Sequence, residues 1–206
     1  MQRGVQQTIM ILGLMLFAVS PASSQPWLNP TDSDSLYNTA GGRYALFNNG
    51  GLSNTAFGYA VLLKNTNGSD NIAVGYFALV NNTTGSANTA SGSSALSSND
   101  TGSSNTASGY KALSRNTTGG ENTASGRDAL YANTTGSANT ASGAYALQNN
   151  AGSYNTATGA YALQDNAGSY NTATGASALN ANTTGSHNTA TGASALNANT
   201  TGSGNT

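Results

Sequence analysis

A tandem repeat limits the folds open to this chain more than any other feature. From residue 38 onward the sequence aligns with itself at Asn38, Asn54, Asn71, Asn88, Asn105, Asn122, Asn139, Asn155, Asn171 and Asn188, giving seven units of 17 residues and three of 16. The shared pattern is Asn-Thr-Ala-(Ser/Thr)-Gly-x-x-Ala-Leu-x-x-Asn-x-x-Gly-x-x, numbered here as positions 1 to 17. Short units lack one residue between the second Asn and the second Gly, so that stretch reads as a loop. A fixed period of this length is the signature of a solenoid, in which one supersecondary unit per repeat stacks on the next. One coil alone buries too little apolar surface to offset the entropy of ordering its backbone. Stacking must supply the rest.

Positions 1 to 5 read as a short strand, because Thr and Ser alternate with an invariant Ala. Ala73, Ala90 and Ala107 are expected inside, and the variable position 4 outside. Positions 5 to 12 suit a second short strand or one helical turn, and eight residues do not separate the two. The fold class is therefore mainly β: a parallel solenoid or β-roll of about ten coils, with room for one helical turn in each. Position 9 is Leu throughout (Leu46, Leu62, Leu79, Leu96, Leu113, Leu130, Leu147, Leu163, Leu179, Leu196) and is the expected core. Gly75, Gly92 and Gly109, with Asn82, Asn99 and Asn116, are expected at coil turns, because Gly and Asn tolerate left-handed backbone. An Asn at one corner of every coil also suits a side-chain amide ladder. Parallel stacking gives a rise of about 4.8 Å per coil.

Three regions follow. Residues 1–24 read as a signal peptide: Arg3, an apolar run from Thr8 to Val19, then Ala22 and Ser24 before a cleavage at Gln25. The run is shorter than the roughly 20 residues that span a bilayer, so no transmembrane segment is expected in the mature chain. Residues 25–37 form a leader holding Trp27, Leu28 and Leu36, either a cap on the first coil or a loose tether. Residues 38–206 are the array, which stops two residues into an eleventh unit and reads as incomplete.

Composition narrows function by exclusion. Only 6% of residues are charged, with six Lys and Arg against seven Asp and Glu, whereas ordinary domains carry about 25%. Too few cations are present to neutralise nucleic-acid phosphates. With no Cys there is no disulfide or thiolate metal site, and an exported chain of this kind points to a bacterial envelope. His187, the one histidine, and Asp128, Asp165 and Glu121 fall at scattered variable positions, so no acid–base or nucleophile–base pair is discernible and no metal or cofactor is implied. The Asn-Thr-Thr triplets at Asn82, Asn116, Asn133, Asn182 and Asn199 match a glycosylation sequon, but composition alone generates them.

Candidate binding residues are Tyr110, Tyr145 and Tyr161, with a large amphipathic face suited to glycan or protein, and the Thr pairs Thr156/Thr158 and Thr172/Thr174. Rows of Thr would suit an ice-binding face. Asn-Thr-Ala-Ser-Gly, and especially Asn71-Ile-Ala-Val-Gly75, resembles the head repeats of the YadA-like trimeric autotransporter adhesins. That resemblance covers residues 38–206 and implies a left-handed parallel β-roll, three chains side by side, and adhesion to host or matrix protein or glycan at the cell surface. The expectation is thus a non-catalytic, self-associating rod, secreted or displayed at the bacterial surface. An ice-binding solenoid and a secreted fibre component are the alternatives.

Overall fold

The computed structural model describes residues 35–206, so the signal peptide and leader residues 25–34 lie outside the described residues. Thirteen short strands follow in order: β1 (Thr39–Gly41), β2 (Thr55–Phe57), β3 (Ile72–Val74), β4 (Thr89–Ser91), β5 (Thr106–Ser108), β6 (Thr123–Ser125) and β7 (Thr140–Ser142). Then come β8 (Asn149–Asn150), β9 (Thr156–Thr158), β10 (Asp165–Asn166), β11 (Thr172–Thr174), β12 (Ala181–Asn182) and β13 (Thr189–Thr191). Ten of them, β1 to β7 with β9, β11 and β13, form one parallel sheet in chain order. Register never slips: Ala56 pairs with Ala73, Ala73 with Ala90, and Ala173 with Ala190. The chain is a parallel β-solenoid. Nine steps of about 4.8 Å give the sheet a length of about 43 Å.

Each strand puts its central Ala inside and its flanking residues outside, as the alternation required. Ala73, Ala90 and Ala107 are fully buried, and Leu62 to Leu179 at position 9 join them with the position-8 Ala side chains in one continuous core. The end coils depart from the expectation. Leu46 is half-buried and Leu196 is 39% exposed, because no described coil covers the outer side of either.

Neither version of the second segment holds in general. No helix occurs among the described residues, and positions 11–12 pair as strands only in β8, β10 and β12, which form a separate three-stranded parallel sheet. β8 and β10 lie in 16-residue coils and β12 in the 17-residue coil that follows them, whereas the 16-residue first coil forms no such strand. In a 17-residue coil the amides of Thr83, Thr84 and Gly85 all converge on the Asp100 carbonyl, a tight curl. In the short coil starting at Asn139 the chain runs straighter, and Ala151 donates to Asn166 instead.

Gly75, Gly92 and Gly109 take φ of 138°, 139° and 139°. A Cβ on Gly109 would lie 2.5 Å from the Gly126 carbonyl oxygen, so both conformation and coil spacing demand glycine there. Asn82, Asn99 and Asn116 are not left-handed; that expectation is corrected. The left-handed residues are instead at positions 7, 9 and 17, including Leu113 (φ 51°), Lys111 (φ 55°) and Glu121 (φ 59°). The position-12 Asn keeps ordinary backbone because its amide must point inward, to the amides above and below.

That ladder exists and runs the whole array. Asn82 Nδ2 donates to Asn65 Oδ1 at 2.8 Å, Asn99 to Asn82 at 2.7 Å, and Asn116 to Asn99 at 2.7 Å. A second ladder occupies position 1, where the backbone N and the Nδ2 of Asn88 both donate to Asn71 Oδ1. The two meet at position 15: the Gly85 carbonyl accepts Nδ2 of both Asn71 and Asn82. A third row uses serine, the Ser86 Oγ accepting from the Ser69 amide and the Ser103 Oγ from the Ser86 amide. Among the described residues no buried side-chain polar atom lacks a partner. The leader also contributes a little. Leu36 accepts from the Ser53 amide, and Tyr37 (φ 61°) repeats the backbone of position 17, so the coiled path begins before Asn38.

Candidate binding surfaces

Because every coil repeats one backbone, each outward position becomes a row along the rod. Three rows bear side chains that a partner could touch. The first is the outer face of the large sheet, built from positions 2 and 4. It changes along its length: Phe57, Ile72 and Val74 are exposed apolar residues near the N-terminal end, and Thr/Ser pairs follow in β4 to β7. Thr156/Thr158 and Thr172/Thr174 are exposed in β9 and β11 and directly paired, Thr172 with Thr156 and Thr174 with Thr158. Strand pairing fixes those hydroxyls and methyls in regular register.

The tyrosines do not form one stripe. Tyr145 and Tyr161 stack at 5.1 Å with planes 8° apart, and Arg127 lies over the Tyr145 ring. Tyr110 stands apart from that pair, at position 6 rather than 7, beside Lys111. Hydrogen bonding to Tyr110 holds the exposed Lys111 ammonium above its ordinary pKa. Serines at positions 6 and 7 (Ser93, Ser94) interrupt the row N-terminal to it. Another stack occupies position 17: Tyr154 on Tyr170 at 4.9 Å and Tyr170 on His187 at 5.0 Å. The lone histidine is thus an aromatic neighbour in a stack.

The largest aromatic grouping lies near the N-terminal end of the array. Tyr44, Phe47, Tyr59 and Phe77 border an open cleft of about 370 Å³ over the first three coils, and Tyr76 stacks on Tyr59 at 5.5 Å. Tyr44, Tyr59, Tyr76 and Phe77 fall at position 6 or 7 and are legible in the sequence as recurrent aromatics, whereas Phe47 joins them from position 10. A half-buried amide row was not legible in the sequence, Gln164 donating to Gln148 at 2.9 Å and Asn180 to Gln164 at 3.1 Å. The sequon asparagines Asn82, Asn116, Asn133 and Asn182 are fully buried in their ladder, and Asn199 is half-buried. Their amides are therefore occupied by the fold.

Charge contributes little to holding the rod together. Among the described residues there is one ion pair, between the neighbours Arg127 and Asp128 at 3.2 Å, and no group of three metal-capable side chains. No described helix is long and apolar enough to cross a membrane. No family model matches this chain, and no curated protein or solved structure shows significant similarity to it.

Proposed function

We propose that this chain is an exported structural and adhesive rod, displayed at a bacterial surface or secreted, that holds ligand-facing rows at fixed spacing and performs no chemistry. The observation that carries the reading is the unbroken pair of asparagine ladders, which makes a stiff shaft from uncharged residues and leaves the outer rows free to vary. The likeness to YadA-like head repeats supports adhesion to host or matrix protein or glycan and a trimer of such rods. Deletion of residues 38–206 from the producing cell is expected to abolish attachment or surface assembly; unchanged attachment would refute the reading. Sedimentation of the soluble chain is expected to give three copies, and a monomer at all concentrations removes the trimer from the proposal.

One observation favours ice binding as a second reading. The paired Thr156/Thr158, Thr172/Thr174 and Thr189/Thr191 present hydroxyls and methyls in strict register on a parallel sheet. Thermal hysteresis that disappears in Thr172→Tyr supports it. Absence of hysteresis in the parent protein dismisses it.

A further inference from the structure

We propose that the aromatic cleft over the first three coils is a saccharide site selective for an acidic pyranose, a hexuronate unit within a polysaccharide. The proposal rests on the adhesive reading and names its ligand class. Four rings make the walls. Tyr44 stands edge-on to Tyr59 at 5.8 Å and 81°, Phe77 edge-on to Tyr59 at 5.6 Å and 69°, and Phe47 edge-on to Tyr44 at 5.9 Å and 82°. Walls near right angles form a corner that takes one ring-shaped group against an aromatic face. The volume of about 370 Å³ falls within the roughly 300–1,000 Å³ of small-molecule sites. A pyranose has an apolar C–H face and a polar rim, and the cleft's mainly aromatic and aliphatic lining includes two polar residues, Asn48 and Lys64.

The charge at the rim selects the anion. Lys64 lines the cleft, and Arg43 neighbours its Tyr44 wall, held over that ring at 4.8 Å and donating to the Tyr44 hydroxyl at 3.0 Å. No Asp or Glu lines the cleft, and Lys64 has no carboxylate partner among the described residues. In a chain of net charge −1 with so few charges, two cations beside the largest aromatic cluster form a local positive field. A pyranose with its C–H face against the aromatic wall would turn its carboxylate away from the rings and toward that field.

The test is calorimetric titration of the full chain with a galacturonate tetramer, a neutral glucose tetramer and a short Phe-rich peptide. The expected result is saturable binding of the galacturonate, weaker binding of the neutral sugar and none of the peptide. Lys64→Gln, a change at an exposed side chain, is expected to weaken galacturonate about fivefold and leave the neutral sugar unchanged. Tyr59→Ala is expected to weaken both by about tenfold or more, whereas Tyr161→Ala in a distant coil alters neither. No saturable saccharide binding, preference for the peptide, indifference to Lys64→Gln, or equal loss in Tyr161→Ala each overturns the proposal. Attachment lost on deleting the array but kept in Lys64→Gln and Tyr59→Ala would sink the cleft alone and leave the adhesive rod standing.

Discussion

At the residue scale, the invariant leucine is explained by two demands acting together. Position 9 is buried, which asks for an apolar side chain, and left-handed at φ near 50°, which β-branched residues resist. Val and Ile satisfy the first demand and fail the second. Leu113→Ile is therefore expected to cost about 2–4 kcal/mol, more than Leu113→Met at under about 1.5 kcal/mol, as read from denaturant midpoints. Equal losses would remove the conformational half of the argument. Burial of Leu113 was legible in the sequence; its backbone was not, because propensity assigns left-handed turns to Asn and Gly, and here inter-coil hydrogen bonds override it. The amides test the ladders. Asn116 Nδ2 donates to Asn99 Oδ1 and the Gly119 carbonyl, so a carboxylate in its place would face two oxygens while fully buried. Burial raises such a carboxyl's pKa in the folded state, so the penalty is complete above that raised folded pKa, shrinks as pH falls through it, and is gone below the unfolded pKa. Asn116→Asp is expected to melt well below the parent at pH 7 and to regain part of the gap near pH 4. A gap independent of pH would argue against a buried donor.

At the element scale, what matters is which segments tolerate a change of length. Natural units already omit a residue between positions 12 and 15 without disturbing the register, Ala141 pairing with Ala157 and Ala157 with Ala173 across the short coils. Removing Thr118 from its loop is expected to leave the melting temperature within a few degrees. Removing Lys111, which lies between Gly109 and Leu113, shifts the core leucine out of register and is expected to abolish cooperative melting of the neighbouring coils. Circular dichroism distinguishes the two outcomes. Gly109→Ala belongs at the same scale: a methyl 2.5 Å from the Gly126 oxygen, at φ 139°, is expected to cost about 2–5 kcal/mol in the same assay. The strand with Ala inward was legible because alternation over Thr-Ala-Ser is a local signal. The aromatic cleft was not, because Tyr44 and Phe77 at position 7 and Tyr59 at position 6 meet only when three coils are stacked.

At the scale of the whole molecule, stability is a sum over like interfaces between neighbouring coils. Excising residues 105–121, one complete unit, brings Asn88 and Asn122 units into contact with every ladder position matched. That shortened chain is expected to fold with a lower denaturant midpoint and a proportionally smaller m-value; loss of all β signal would mean the coils are not interchangeable. Salt should matter little. With one ion pair among the described residues, melting between 0.05 and 1 M NaCl is expected to move by only a few degrees, in contrast to the salt-sensitive Lys64 contact proposed at the cleft.

The ladders have a genetic corollary. Each amide finds its partner at the same address in the winding before or after it, so nothing in the cross-section records how many windings there are. Unequal recombination between near-identical stretches of the gene would yield longer or shorter shafts of the same girth, each step worth about 4.8 Å of reach. Such a molecule behaves as an adjustable ruler whose graduation is set by asparagine.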